Sequence, residues 1–128
     1  MADLNFAGSY DGLHLPYSPE AEQAVLGAII LESDTFDKVV DTLKSPDYFY
    51  VSLHKLIFAQ MQEMIGLGLN IDFVTLLERL KQNKAFDEST GKTYLMDLVN
   101  NCPSISNAEE YAKIIAEKYN VRRLITAS

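Results

Sequence analysis

Apolar residues recur at steps of three and four along most of this sequence, the spacing that places them on one face of a helix. The first such segment begins at Ser18-Pro19, an N-cap residue followed by proline at the first helical position. Glu20 and Glu22 place negative charge at the positive end of its dipole. Its apolar stripe comprises Ala21, Ala24, Val25 and Ala28. Gly27 inside this segment costs about 1 kcal/mol relative to alanine, so we expect a neighbouring helix to approach closely there.

The same spacing predicts five further helices joined by short connections. They span about 33–45, 52–66, 73–80, 93–100 and 107 to the end of the chain. Asp72 and Asn107 are predicted N-caps, Gly66 is a predicted C′ residue, and residues 89–93 are predicted as a loop with Gly91 at a turn. The best strand candidate, residues 48–51, is too short, so the predicted fold class is all-α, a compact bundle of about six helices.

The two ends of the chain differ from the segments between them. Residues 1–16 are predicted to be a flexible tail, because glycines and polar residues interrupt them and no apolar period is sustained. A short docking segment for another copy of the protein is the alternative. The last helix reaches Ser128 without a Gly, Asn or Pro to end it, so either its last turns fray or the chain is a piece of a longer protein whose helix continues; we favour the second.

Composition and charge narrow the classes of partner. Apolar residues make up 48% and charged residues 23%, as in a soluble globular domain. Eleven Lys and Arg against eighteen Asp and Glu give a net charge of −7, which disfavours autonomous binding to nucleic acid or to an anionic membrane. Residues 81–128 hold seven basic and six acidic residues, so an acidic partner is tolerated there. The longest apolar run, residues 24–31, is too short for a bilayer and no signal peptide is evident, so we expect a cytoplasmic protein.

Residues that could carry chemistry are few and isolated. Cys102 is the only cysteine, and His14 and His54 are forty residues apart without metal-ligand spacing. No nucleophile or carboxylate partner can be assigned to His54, so we expect a packed histidine bonded to a neighbouring loop. Residues 90–93 end like a P-loop, but Phe86 stands where that motif requires glycine. We therefore predict no catalytic, cofactor-binding or metal-binding residue.

The second half of the chain holds the candidate interaction residues. The last helix carries a stripe that needs cover from the rest of the domain or from another copy, and its predicted self-association residues are Tyr111, Ile114, Ile115, Lys118 and Ile125. Tyr94 is either an amphipathic anchor for a partner or a core residue. Arg122, beside Arg123, either pairs with an acidic partner or compensates the helix dipole. The predicted partner-binding residues are Tyr94, Arg122 and Ile125.

Beyond these patterns, the order of several short blocks is similar to that in one protein family. Positions 15–29 read Leu-Pro-Tyr-Ser-Pro-Glu-Ala-Glu-Gln-Ala-Val-Leu-Gly-Ala-Ile, which resembles the opening of the DnaB-type bacterial replicative DNA helicases. The match continues through Asp47-Tyr48-Phe49-Tyr50, His54, Ile57, Phe58, Asn70-Ile71-Asp72, Val74-Thr75-Leu76, Tyr94-Leu95, Pro103, Asn107, Glu110-Tyr111-Ala112 and Arg122-Arg123-Leu124-Ile125. Two departures are the absence of the usual Gly-Gly pair before Tyr94 and the absence of the RecA-like motor domain with its P-loop.

The resemblance implies a domain that is not itself catalytic. Residues 17–106 would form a globular helical head, and residues 107–128 the start of a helical hairpin that leads to a linker and motor domain. In this family heads and hairpins pair as dimers, three dimers build the collar of a hexamer, and the collar receives the helicase-binding domain of primase. A helicase loader is a further candidate partner. ATP, Mg and DNA would be bound by the motor domain of the full-length ATP-dependent helicase, not by this chain.

Two other classes compete with this interpretation. An independent enzyme is disfavoured because no constellation of catalytic residues is evident. A helix-turn-helix DNA-binding module would suit the short helices, but a recognition helix rich in Arg, Lys or Asn is missing and the net charge has the wrong sign.

Overall fold

Six helices make up most of the part of the chain that the structure, a computed structural model, describes, namely residues 14–127. They are α1 (Pro19–Leu31), α2 (Thr35–Val39), α3 (Ser52–Gly66), α4 (Phe73–Lys81), α5 (Glu88–Asn100) and α6 (Ala108–Ala127). A single 3-10 turn, Pro46–Tyr48, precedes α3. No strand occurs between residues 14 and 127, so the predicted all-α class is confirmed. Most of the predicted tail, residues 1–13, lies outside the described residues.

Helix α1 is the central element of the bundle. It is buried along nearly its whole length and packs chiefly against α6 and α5, with α3 and α2 also in contact. The Ser18 hydroxyl caps it by accepting the backbone N–H of Ala21 at 3.2 Å. A methyl group on Gly27 would overlap the backbone carbonyl oxygen of Leu98 in α5. The close approach of a second helix at Gly27 is therefore confirmed.

Aromatic side chains from α2, from α3 and from the segment before α3 pack together in the core. Phe58 stacks on Phe36 with ring centroids 5.5 Å apart and meets Phe49 at 4.9 Å. Other large side chains that are fully buried include Leu26, Ile29, Leu43, Ile57, Met61, Met64, Leu76, Leu80, Leu95 and Ile115. Within the described residues, no helix is long and apolar enough to cross a membrane.

Helix α5 begins five residues before the predicted start at residue 93. Asp87 is its N-cap and accepts the backbone N–H of Ser89 at 3.0 Å. Residues 89–93, predicted as a loop, are helical, and that prediction was wrong. Gly91 is buried within the helix because the ring of Phe86 occupies the space that a Cβ atom would need. This packing outweighs the weak helix propensity of the Ser, Thr and Gly residues there.

Two smaller predictions need correction. Helix α2 ends at Val39, and hydrogen-bonded turns rather than a continuous helix carry the chain on to Leu43, whose N–H donates to the Val39 carbonyl at 2.8 Å. Gly66 is the last residue of α3, and Gly68 adopts the left-handed conformation, with φ of 77°. Residues 48–51, judged from the sequence to be too short for a strand, lead from the 3-10 turn into α3.

Candidate functional site

A buried carboxylate lies at the start of α1, where the sequence suggested only a favourable charge at the helix end. Glu22 has 1% of its surface exposed. Its two oxygens accept the backbone N–H groups of Tyr50 at 2.8 Å and Val51 at 3.3 Å, and they also bind Nδ1 of His54 at 2.7 Å. Since ionised carboxylates accept such bonds strongly, Glu22 ties the start of α1 to the segment that enters α3.

His54 continues this network from the core toward the surface. Its ring is fully buried, and Nε2 lies 2.5 Å from the hydroxyl oxygen of Tyr94 on α5. The side-chain amide of Gln23 donates to the same oxygen at 3.2 Å. Burial raises the pKa of the Tyr94 hydroxyl, the Gln23 hydrogen bond opposes that shift, and the charges of Glu22 and Asp97 reinforce it. Tyr94 therefore carries its proton at neutral pH and shares it within a network of partnered groups.

The outer end of this network opens into a cleft between α1 and α5. The cleft has a volume of about 390 Å³. Its polar lining residues are Glu20, Gln23, Tyr94, Asp97 and Asn101. Two carboxylates, two amides and one phenol hydroxyl thus converge on one concave surface, which favours a partner that brings hydrogen-bond donors or a positive charge. We call this surface the α1–α5 cleft.

Arg122 does not lie on the surface but in a cage that joins α6 to the start of the head. Only 7% of its surface is exposed. Its guanidinium donates to the backbone carbonyl of Pro16 at 3.0 Å and to that of Tyr48 at 2.8 Å. The rings of Tyr50 and Tyr119 flank it at 5.3 and 5.7 Å. Burial lowers the pKa of Arg122, although the nearby Glu22 charge opposes this; an arginine so placed remains charged.

Helix α6 has two faces with different surroundings. The inner face packs on the head through Ala108, Ala112, Ile115, Tyr119 and Arg122. The outer face exposes large apolar side chains to solvent: Ile114 at 38%, Val121 at 43%, Leu124 at 72% and Ile125 at 48%. We call these four residues the outer α6 face. Four large apolar side chains at helical spacing thus share one exposed face of α6.

The structure divides the residues predicted for self-association. Ile115 is buried against the head, and Tyr111 and Lys118 are partly buried. Ile114 and Ile125 lie on the outer α6 face. A helix turns once in 3.6 residues, so a stripe read at steps of three and four can wrap across both faces. Self-association through this helix stays a prediction.

The residues predicted for partner binding are also separated. Tyr94 lines the α1–α5 cleft, half-buried, with its hydroxyl turned toward His54. Ile125 lies on the outer α6 face, and Arg122 is buried in its cage. Tyr94 and Ile125 are thus both partly accessible to solvent, whereas Arg122 acts within the chain by fixing α6.

The surroundings of Cys102 and His14 give neither residue a catalytic or metal-binding partner among the described residues. Cys102 is partly buried near the Ala24 carbonyl, and burial raises the pKa of its thiol, which disfavours the reactive thiolate. His14 packs its ring against Tyr17 with centroids 5.0 Å apart. Among residues 14–127, no group of three or more metal-ligating side chains comes together.

The helix-turn-helix alternative gains no support from the cations of α4 and α6. Arg79 pairs with Glu63 at 3.2 Å, and Lys81 approaches two carboxylates, those of Glu78 and Glu88. On α6, Arg122 is buried. Cations that are paired with carboxylates, such as Arg79 and Lys81, or buried, such as Arg122, contribute little to a field that attracts phosphates.

Sequence reasoning missed the pairing of Glu22 with His54. The helical spacing did contain a signal, because Glu22 shares a face of α1 with Val25, Leu26 and Ile29, all of which are buried. A charged residue on a buried stripe requires a hydrogen-bonding partner. No local pattern identifies that partner, which lies 32 residues further along the chain.

Comparison with known proteins gives one consistent family. The family described as DnaB-like helicase N terminal domain matches residues 14–117. A replicative DNA helicase DnaB of Pasteurella multocida is 37% identical over 117 residues, which is 91% of this chain and 25% of that protein. The Haemophilus influenzae DnaB is 40% identical over 111 residues, which is 87% of this chain and 24% of that protein.

A solved structure agrees with these relatives. The crystal structure of the N-terminal domain of DnaB helicase from Mycobacterium tuberculosis superposes with a TM-score of 0.83 at 33% identity, covering 89% of this chain and 81% of that one. The chain spans about a quarter of the length of the curated relatives that it matches.

Proposed function

The chain belongs to the family of DnaB-like helicase N-terminal domains, and from that membership we propose that it is the non-catalytic collar domain of a replicative DNA helicase in the cytoplasm. In this proposal residues 17–106 are the head and residues 107–128 begin the hairpin. The domain assembles dimers into a hexamer and docks the helicase-binding domain of primase. ATP, Mg and DNA belong to a motor domain in the full-length protein, and a helicase loader is a further partner.

The observation that carries the assembly proposal is the outer α6 face. Helix α6 already packs its inner face on the head, yet it exposes Leu124 at 72% and Val121 at 43%. A second hairpin helix or another subunit would bury these side chains, at about 25 cal/mol for each Å² of apolar surface removed from water. We expect concentration-dependent dimers of this chain, weaker than those of a longer chain that includes the second hairpin helix.

Light scattering coupled to size exclusion tests the assembly proposal over a range of concentrations. The double variant Val121→Glu with Leu124→Glu should shift the chain toward monomer, because two charges would be buried in the contact. Lys113→Glu is the matched control, since Lys113 is exposed on the same helix and forms a surface ion pair with Glu110. A strictly monomeric mass for both the short and the longer chain would contradict the proposal.

The observation that supports primase docking is the α1–α5 cleft with Tyr94 at its wall. A half-buried tyrosine beside polar groups is the type of residue that acts as an interface anchor. Ile125 on the outer α6 face provides an apolar anchor in the hairpin. We expect Tyr94→Ala and Ile125→Ala each to weaken primase binding by about 1–2 kcal/mol, as partial hot spots do.

Titration calorimetry with the helicase-binding domain of primase tests this docking on the longer chain. Met96→Ala is the control, because Met96 lies on α5 with 45% exposure and does not line the cleft. Circular dichroism establishes that each variant is folded. Unchanged affinity for both the Tyr94 and the Ile125 variants would move the docking site elsewhere. ATP hydrolysis by the purified short chain would contradict the non-catalytic role.

A further inference from the structure

The network from Glu22 to Tyr94 links a titratable side chain in the core to a surface that faces a partner. We propose that the protonation state of His54 sets the direction in which the Tyr94 hydroxyl donates, and so sets whether the α1–α5 cleft offers a hydrogen-bond acceptor or a donor. This inference rests on the proposed docking role of the cleft, because its consequence for binding requires a partner there.

The neutral form of His54 has one defined arrangement. The Glu22 carboxylate is a pure acceptor, so Nδ1 of His54, 2.7 Å away, must carry the proton. Nε2 is then an acceptor, and the hydroxyl of Tyr94 donates to it. The Tyr94 oxygen accepts from the Gln23 amide at 3.2 Å and keeps only acceptor capacity toward the cleft. The ring proton of His54 therefore points to Glu22, the hydroxyl proton of Tyr94 points to His54, and an amide proton of Gln23 points to Tyr94.

Protonation of His54 reverses the direction of the hydrogen bond between Nε2 and the Tyr94 hydroxyl. An imidazolium carries N–H groups on both ring nitrogens, so Nε2 becomes a donor to the Tyr94 oxygen. The phenol O–H must then leave that direction, and the Gln23 amide cannot accept it through the nitrogen that donates to the same oxygen. The O–H turns outward, and the cleft gains a donor in place of an acceptor. No heavy atom needs to move, because only the proton of a rotating hydroxyl changes its direction.

Several charged groups surround this switch. Glu22 on α1 contacts the His54 ring directly, and Tyr94 on α5 contacts it from the other side. Arg122 on α6 interacts with the Glu22 charge, and Tyr50 lies against Arg122. Asp97 on α5 acts on Tyr94.

The charge of the cleft determines the sign of the effect on binding. Glu20 and Asp97 line the cleft with negative charge, which selects a partner group that donates hydrogen bonds or carries positive charge. Such a group matches the Tyr94 oxygen as an acceptor and is repelled by an outward O–H. We therefore expect primase binding to be tighter when His54 is neutral, and about tenfold weaker when His54 is protonated.

Nitrogen-15 NMR of the histidine ring tests the switch in the short chain alone. The neutral form of His54 should be the Nδ1–H tautomer, and the ring signals of Tyr94 should shift in the same pH transition as His54. His14→Gln removes the other histidine as a control and should leave both signals unchanged. A neutral Nε2–H tautomer, a Tyr94 signal that stays flat through the His54 transition, or a His54 that does not titrate while the chain is folded would overturn the inference.

Affinity measured against pH separates this inference from the docking proposal. Tyr94→Phe keeps the ring but removes the hydroxyl, so the tenfold change between the two pH limits should disappear, while His14→Gln should retain it. The affinity of His54→Gln for primase should likewise not show the tenfold change with pH that His14→Gln retains. Circular dichroism establishes that the His54→Gln variant is folded. A wild-type chain that binds primase with the same pH dependence as Tyr94→Phe overturns the switch and leaves the docking role standing. A wild-type chain that binds no primase at any pH overturns the docking role, and the NMR result then decides the switch by itself.

Discussion

Replacing Gly27 by alanine should force apart the two helices that meet at this residue. A Cβ atom there would overlap the Leu98 carbonyl oxygen, with the Leu98 carbonyl carbon at 3.1 Å and the Cys102 Cβ atom at 3.3 Å. The carbonyl belongs to the backbone of α5, so it cannot rotate aside as a flexible side chain could. Relief requires a displacement of α1 relative to α5, and α1 is the central helix of the bundle.

Two opposing effects determine how far Gly27→Ala changes the free energy of unfolding. Alanine is a better helix former than glycine by about 1 kcal/mol, which favours the variant. An extra methyl group in a packed core costs about 1–3 kcal/mol, and a backbone obstacle places Gly27 near the upper end of that range. The expected net loss is therefore about 2 kcal/mol in the free energy of unfolding. For a domain of this size that corresponds to a fall in Tm of roughly 6–10 °C.

Urea unfolding followed by circular dichroism measures this loss as a lower midpoint at unchanged m-value. Gly66→Ala is the matched control, because Gly66 also lies in a helix but a Cβ atom there meets nothing within 4 Å. That variant should gain up to about 1 kcal/mol. A Gly27→Ala chain as stable as wild type, with the same m-value, would refute the close contact between α1 and α5.

Three further substitutions test the polar contacts. Glu22→Ala should lower the free energy of unfolding by about 3–5 kcal/mol, because one buried and two part-buried N–H groups lose their acceptor. Glu20→Ala, at an exposed position, should change it by less than about 0.5 kcal/mol. Equal losses for the two variants in urea unfolding would contradict the network. Arg122→Lys should cost about 1–2 kcal/mol by the same measurement, because an ammonium lacks the fork that reaches two carbonyls, whereas Arg123→Lys should be neutral. The pKa of Asp87 is lowered from 3.8, chiefly by the hydrogen bond from a serine hydroxyl in the first turn of α5. The ionised Asp87 therefore stabilises the folded chain at pH values above 3.8, and this stabilisation is lost as the pH falls through the pKa of the folded state. Asp87→Asn should therefore melt below wild type at pH 7 and converge with it in acid, and a gap that stays constant to pH 2 would argue against the cap.

The three predicted partner-binding residues show which part of a prediction from residue patterns depends on tertiary structure. Tyr94 and Ile125 were predicted as partner-binding residues, and both line accessible surface, one in the α1–α5 cleft and one on the outer α6 face. Arg122 was predicted as well, but it is enclosed by carbonyls and aromatic rings. The sequence Arg122-Arg123 reads the same whether its side chains are exposed to solvent or enclosed by carbonyls and aromatic rings. The difference depends on which face of α6 packs on the head.

The boundaries of α5 illustrate a second limit. Residues 89–93 contain Ser, Thr and Gly, which disfavour helix by local propensity. The structure nevertheless begins the helix at Glu88, because Asp87 caps it and the Phe86 ring packs against Gly91. The glycine that suggested a turn is instead required by its close contact with the ring of Phe86, which precedes the helix.

The sequence by itself determined the all-α class, the positions of the principal helices and the family, because helical periodicity, caps and ordered motifs involve residues that are near each other in the chain. Only the tertiary structure decided which polar groups meet. His54 finds Glu22 across 32 residues, and Arg122 reaches the Pro16 carbonyl across 106. Such pairs form because α1, α3, α5 and α6 pack together and leave buried polar atoms that must be satisfied. The partner of each buried polar atom depends on how all the helices pack, so it cannot be predicted from a short stretch of sequence.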